Sequence, residues 1–199
     1  MLKENLNGFL DEITEKIEDE NISTGVPLSR FSTYRVGGPA ALLIKVEDTS
    51  VFSLLVKALK KFHLPILLIG NGSNLLISDD GFEGAVLKLG ESFETIEIEG
   101  EVVKAGAAVK LPVLARETVK FGLSGFEWAV GVPGTVGGAV RMNAGGHGSD
   151  IASSLLEVTT INLLTGVSSN VPAKALDFSY RCLLYTSDAA DEGLGVDLG

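Results

Sequence analysis

Two glycine-rich segments about sixty residues apart constrain this chain more than any other feature. The first is Gly70-Asn71-Gly72-Ser73-Asn74, which leaves the apolar run 65–69. The second is Gly131-Val132-Pro133-Gly134-Thr135-Val136-Gly137-Gly138, followed closely by Asn143-Ala144-Gly145-Gly146. Glycine reaches positive φ without steric cost and lets a ligand approach the main chain closely. Successive N–H groups in such bends form a concavity suited to anionic oxygens. Two such loops point to a long ligand with a diphosphate in its middle, and a dinucleotide is the obvious candidate.

The length of 199 residues fits one domain or two small ones. With 45% hydrophobic residues, a sizeable core is available. The 24 glycines cluster in motifs and follow no period, which excludes a collagen-like chain. The formal net charge of −10 sits at the two ends: residues 1–20 carry −5, residues 182–199 carry −4, and the body is close to neutral. Such runs mark solvated faces, and no basic stripe offers itself to nucleic acid. The acidic N-terminus lacks the apolar stretch of a signal peptide. No run approaches the roughly 18 apolar residues of a membrane span. Cys182 is the only cysteine, so no internal disulfide forms. These features predict a soluble cytoplasmic protein. No His, Cys or carboxylate pair has metal-ligand spacing, so no metal is expected.

Leu6, Phe9, Leu10, Ile13 and Ile17 recur at helical spacing and predict a helix over 4–19. Strands are predicted over 41–46 and 65–69. Between them, Asp48 or Thr49 caps a helix bearing Val51, Leu54, Leu55, Ala58, Leu59 and Phe62 on one face. After the first glycine loop, 75–78 reads as a strand and Asp79-Asp80-Gly81 as a turn. Further strands are predicted over 85–89, 95–99 and 102–105, with Glu99-Gly100 as a hairpin turn. Residues 111–121 suit a helix ended by Gly122, and 156–164 with 167–171 suit a hairpin around Thr165-Gly166. The pattern is α+β with much antiparallel or mixed sheet.

A strand followed by Gly-x-Gly suggests a Rossmann site, but that fingerprint needs a third glycine and a helix opening there. Position 75 is Leu and the next segment reads as extended, so the Rossmann reading fails. Asn71, Ser73 and Asn74 instead supply side-chain donors beside exposed amides, although a turn-rich hairpin uses the same residues for backbone reasons alone. In the second loop Pro133-Gly134 makes a turn, and Gly137-Gly138-Ala139 is small enough for a ligand to lie on the main chain. A helix beginning at Val136 would offer its first N–H groups to phosphate. Tight packing of a loop under a sheet is the plain alternative. His63 reads as structural, His147 as a plain loop residue that could also touch the ligand, and Trp128 as core. Arg35 and Arg141 lie near the two loops and could offset ligand charge.

Four segments in order carry a family resemblance: Ser32-Thr33-Tyr34-Arg35-Val36-Gly37-Gly38-Pro39-Ala40, residues 70–75, residues 131–146, and Asp177-Phe178-Ser179-Tyr180-Arg181. Over roughly residues 20–181 the chain resembles the N-terminal, flavin-binding part of the UDP-N-acetylenolpyruvoylglucosamine reductase (MurB) family of peptidoglycan synthesis. The resemblance implies an FAD-binding fold of two α+β subdomains, of the PCMH or vanillyl-alcohol-oxidase-like type. Its mixed and antiparallel sheets carry flanking helices, and FAD is held non-covalently between the subdomains. It implies an oxidoreductase, UDP-N-acetylmuramate dehydrogenase, with NADPH as co-substrate and UDP-N-acetylglucosamine enolpyruvate as substrate. By the same resemblance Gly70, Asn71, Gly72, Ser73 and Asn74 line the FAD diphosphate and ribityl chain. Gly131, Pro133, Gly134, Thr135, Gly137 and Gly138 do so too, and Asn143 and Gly145 close that wall. Tyr180 and Arg181 match the family's substrate-binding pair. Arg181 is the implied catalytic residue, because a guanidinium offsets enolate-like charge and holds a carboxylate bidentately.

The implied division is an N-terminal helix over 1–20, a first FAD-binding subdomain over 21–69, a second over 70–181, and a non-native tail over 182–199. The run from Cys182 to Glu192 resembles translated read-through of a sequencing adaptor. It reads as disordered or poorly packed. The family's third domain, with its proton-donating serine and assisting glutamate, has no counterpart here, so the resemblance implies a catalytically incomplete reductase. Two other readings stay open: the FAD-binding domain of another oxidoreductase of the same superfamily, and a non-catalytic dinucleotide-binding module.

Overall fold

Leu6, Phe9, Leu10 and Ile13 line one side of α1 (Leu2–Ile13) in the computed structural model, which describes residues 2–163, 165–179 and 182–183. The helix ends at Ile13 rather than at residue 19. Its last turn carries no base, and Glu15, Glu18, Asp19 and Glu20 follow, where acids oppose the negative end of a helix dipole. Ile17 is nonetheless buried, because a turn carries its amide back to the carbonyl of Ile13 over 2.9 Å.

Residues up to Gly90, with the short stretch Asn162–Val167, form one compact unit. Its sheet contains β1 (Ile22–Pro27), β2 (Pro39–Val46), β3 (Ile66–Ile69) and β4 (Phe82–Leu89), in the order β1-β2-β4-β3. β2, β4 and β3 run parallel, and β1 lies antiparallel along β2. Alternate residues of β2 (Ala40, Leu42, Ile44 and Val46) are buried, which is the period of a strand. Leu42, Ile44 and Leu87 are fully enclosed, and each such side chain contributes roughly 2 kcal/mol by leaving water. α2 (Phe52–Lys61) follows a short 3-10 turn at Thr49–Val51, and the Asp48 carboxylate accepts from the Ser50 amide over 2.8 Å. Phe9 of α1 meets Phe62, just past α2, edge to face at 6.5 Å.

The subdomain boundary expected between residues 69 and 70 falls inside this unit. β4 pairs with β2 on one side and β3 on the other, so residues 70–90 complete the first sheet. Residues 75–78, expected as a strand, form none. Leu75 and Ile77 turn into the core while Leu76 stays 80% exposed, so their alternation reflects half-burial rather than pairing.

Residues 91–161, with the described residues from Ser168 onward, form the second unit. β5 (Ile96–Glu99) and β6 (Val102–Ala105) make the hairpin predicted around Gly100. α3 (Leu111–Lys120) buries Leu111, Leu114, Ala115 and Thr118, one helical face, and Gly122 follows its end. α4 (Val136–Arg141) is a helix of six residues. β7 (Gly145–Gly146) and β8 (Ser149–Asp150) pair antiparallel. So do β9 (Glu157–Ile161) and β10 (Ser168–Pro172), the hairpin predicted from sequence. β11 (Phe178–Ser179) pairs with β12 (Cys182–Leu183), while residues 184–199 of the expected tail lie outside the described residues. Leu111, Ala115, Trp128, Ala139, Val140, Val158, Val171 and Leu176 form the core of the unit. Mixed and antiparallel sheets with flanking helices make this the α+β fold expected.

Candidate functional site

The first glycine loop leaves the carboxyl end of β3, the edge at which open sheets with parallel strands place ligands. No helix opens there: residues 70–81 cross directly to β4. The loop is stitched to the segment 31–33. Gly72 has φ +62, its carbonyl accepts from the Thr33 amide over 3.1 Å, and a Cβ there would lie 1.8 Å from the Phe31 carbonyl oxygen. Only glycine satisfies both the left-handed backbone and that approach. Gly70 is tied down as well, since its carbonyl accepts from Lys88 Nζ over 3.2 Å.

These ties leave the donors of the loop open. Among the described residues, the amides of Asn71, Gly72, Ser73 and Asn74 donate to no other main-chain group. The hydroxyl of Ser73 is buried and has no partner there. Buried polar atoms in native folds are paired, so an orphan of this kind marks a place where a ligand or water completes the set. The donor set suits phosphate oxygens and fits the FAD implied by the resemblance.

The same unit brings the 32–40 motif to this loop. Ser32 is buried, and its hydroxyl donates to the Val36 carbonyl over 3.2 Å. Gly37 lies against Ile77, and the Gly38 amide donates to the Ser78 carbonyl over 2.8 Å. Tyr34 stays 64% exposed and Arg35 is exposed with φ +54.

The second loop belongs to the other unit, and there the expected helix N-terminus is not free. Val136 donates its amide to the Val109 carbonyl over 2.8 Å, and Gly137 donates to Ala107 over 3.0 Å. Gly138 donates to the Thr135 hydroxyl, which caps the helix over 3.3 Å. The first three N–H groups of α4 are thus consumed by the protein. The loop offers open backbone instead. Among the described residues, a Cβ at Gly131 would find only His147 Nε2, 3.7 Å away, and one at Gly138 only the Thr135 hydroxyl. The Gly134 carbonyl accepts from the Leu111 amide over 3.1 Å, so Pro133 and Gly134 are held against the start of α3.

Asn143, 6% exposed, spends its side chain inside this unit. Its Nδ2 donates to Asp150 Oδ2 and to the Ser179 carbonyl, each over 3.1 Å, and its Oδ1 accepts from the Ala152 amide over 3.1 Å. Gly145 packs tightly, with a Cβ there lying 2.6 Å from the Ser149 carbonyl oxygen. The structure therefore pairs the four motifs two by two: 32–40 with 70–75, and 131–146 with Phe178–Ser179. Tyr180 and Arg181 lie outside the described residues.

Trp128 is core, as expected, meeting Phe126 edge to face at 5.3 Å; its buried Nε1 has no partner among the described residues. His63 and His147 are exposed, and Arg141 is half-buried. No cluster of metal-ligating side chains occurs among the described residues. No helix among them is long and apolar enough to cross a membrane. Two contributors escaped the sequence reading. Lys88 was signalled only as a lone cation inside the apolar run 85–89, and Asp150 carried no local signal at all.

The FAD binding domain family matches residues 39–167. UDP-N-acetylenolpyruvoylglucosamine reductase of Bacillus subtilis (strain 168) is 37% identical over 175 residues, covering 86% of this chain and 57% of that protein. The chain thus spans little more than half the length of the curated relatives it matches. The crystal structure of that reductase (MurB) from Thermus caldophilus superposes with a TM-score of 0.69 at 37% identity, covering 79% of this chain and 55% of that one. p-Cresol methylhydroxylase shares the fold alone, at a TM-score of 0.60 and 14% identity, covering 89% of this chain and 37% of that one.

Proposed function

The chain belongs to the FAD binding domain family, and on that premise we propose that it is the flavin-holding part of a UDP-N-acetylenolpyruvoylglucosamine reductase. One observation carries the reading beyond a generic flavoprotein: the described residues of the four segments come together as two pairs, 32–40 with 70–75 and 131–146 with Phe178–Ser179, each within its own unit. A chance match of glycine patterns has no reason to be organised in that way.

In this reading the amides of Asn71, Gly72, Ser73 and Asn74, with the Ser73 hydroxyl, donate to the phosphate oxygens of FAD, and Gly70 sets their direction. Gly131 and Gly138 keep the main chain bare so that the cofactor lies against it. Pro133, Gly134, Thr135 and Gly137 shape that wall through their bonds to the 107–111 segment. Asn143 and Gly145 shape it from within, by packing rather than by direct contact. When bound, FAD would carry hydride from NADPH to the enolpyruvyl double bond, the adjacent carbon taking its proton from an acid outside this chain's matched motifs, and the protein would supply binding and orientation. Arg181 holds the substrate carboxylate through paired N–H···O bonds and offsets the negative charge that grows beside it as hydride arrives. Tyr180 adjoins it at the substrate. NADPH and UDP-N-acetylglucosamine enolpyruvate are then the partners, and the compartment is the cytoplasm.

The test has two stages. Purified chain is mixed with FAD and desalted, and a retained flavin spectrum is expected. A folded protein that keeps no flavin overturns the reading. The protein encoded by the complete source gene is then assayed for NADPH oxidation that depends on the enolpyruvyl sugar nucleotide. Arg181→Lys is expected to lower kcat by about a hundredfold with FAD retained, because a point charge replaces the planar fork. Oxidation indifferent to the sugar nucleotide would point to another flavin oxidoreductase.

A further inference from the structure

Lys88 stands next to last in β4, in a strand whose neighbours Val86, Leu87 and Leu89 are buried. Pairing sets it beside Ile69 of β3 and Lys45 of β2, on one face of the sheet at its carboxyl edge. Its half-buried side chain carries Nζ to 3.2 Å from the carbonyl of Gly70, the first residue of the loop. That contact has a consequence one atom further on. In a trans peptide the C=O and the following N–H belong to one plane and point in opposite directions. Holding the Gly70 carbonyl toward Lys88 turns the Asn71 N–H away from it. The Thr33 amide does the same two residues later, holding the Gly72 carbonyl and so turning the Ser73 N–H away from residue 33. The two bonds fix alternate peptides of the loop, and among the described residues both released amides are left without a main-chain acceptor.

We propose that Lys88 is a cofactor-positioning residue: by pinning the Gly70 carbonyl it presents the Asn71 amide to the anionic diphosphate of FAD. The inference rests on the reading of residues 70–74 as the phosphate-binding loop. Lys88 does its work through the loop rather than by touching the ligand.

The test compares FAD with riboflavin, which lacks the phosphates, as ligands of the chain and its variants. Lys88→Met and Lys88→Gln remove the ammonium, and Lys88→Arg keeps a donor of similar reach. The first two are expected to bind FAD about tenfold more weakly, the worth of one well-aimed bond to a charged acceptor. Riboflavin affinity should stay unchanged, and Lys88→Arg should restore FAD affinity to within about threefold on the same grounds. Should Lys88→Met not fold, as judged by circular dichroism, Lys88→Gln and Lys88→Arg carry the comparison. Equal losses for FAD and riboflavin would overturn the proposal, since they indicate a general structural role. So would unchanged FAD affinity in the Lys88 variants while Ser73→Ala weakens binding, which keeps the loop as the phosphate site but removes Lys88 from it. If neither Lys88 nor Ser73 variants alter FAD affinity, the loop reading falls and the inference falls with it.

Discussion

The side-chain amide of Asn143 donates to the main-chain carbonyl of Ser179 over 3.1 Å, joining segments 36 residues apart in the chain. With its bonds to Asp150 and Ala152, it locks the end of the second glycine segment to the strand that runs directly into Tyr180 and Arg181. A left-handed φ of +39 at Asn143 makes this geometry possible, and asparagine tolerates that region better than most residues.

Asn143→Ala would leave the Ser179 carbonyl and the Ala152 amide without this partner. Both bonds are only part-buried, so each orphaned group costs toward the low end of roughly 1–3 kcal/mol, and a loss of about 2 kcal/mol is expected. Asn143→Asp should cost more, because it sets a second carboxylate against Asp150. Urea denaturation checks both, and losses below about 1 kcal/mol would show that the network is solvated.

Ser73→Ala separates binding from folding. The hydroxyl is buried and has no partner among the described residues, so its removal should leave stability unchanged or raise it by up to about 1 kcal/mol. FAD affinity should nevertheless fall by about tenfold, as one hydrogen bond to phosphate is lost. Thermal melts and a flavin titration on the same preparation suffice.

Gly72→Ala and Gly100→Ala place the same methyl group on nearly the same backbone, φ +62 and φ +61. Among the described residues, nothing lies within 4 Å of a Cβ at Gly100, whereas at Gly72 the Phe31 carbonyl oxygen stands 1.8 Å away. The first site should pay only the left-handed strain of about 1 kcal/mol. The second should lose roughly 3 kcal/mol or more and release the loop from residues 31–33. Equal melting temperatures for the two variants would mean that the loop yields freely.

Trp128 is the only tryptophan and is 6% exposed, three residues before Gly131. Its emission should be that of a shielded indole and should fall on titration with FAD, because flavin absorbs tryptophan emission. Quenching that saturates at one FAD per chain is the expected outcome. Emission indifferent to FAD, while FAD is bound by another measure, would place the flavin away from the second loop.

What could be read from the sequence was whatever is written locally. The helical spacing of Leu111, Leu114, Ala115 and Thr118, the hairpin at Gly100 and the glycine segments themselves depend on neighbours within a few residues, and backbone shape follows from them. Ile17 and residues 75–78 misled because burial imposes a period on a turn or an irregular crossover as readily as on a helix or a strand. The state of each donor was not legible at all. Nothing near Val136, Gly137 and Gly138 announces that Val109, Ala107 and Thr135 consume their amides, or that Asn71 to Asn74 keep theirs. Nor does Lys88 announce the Gly70 carbonyl 18 residues before it. The order of residues thus determined the chemical groups available and the local path of the chain. Which of those groups remain open to a ligand was decided only when distant segments met, because a hydrogen bond satisfied by the protein is withdrawn from the site.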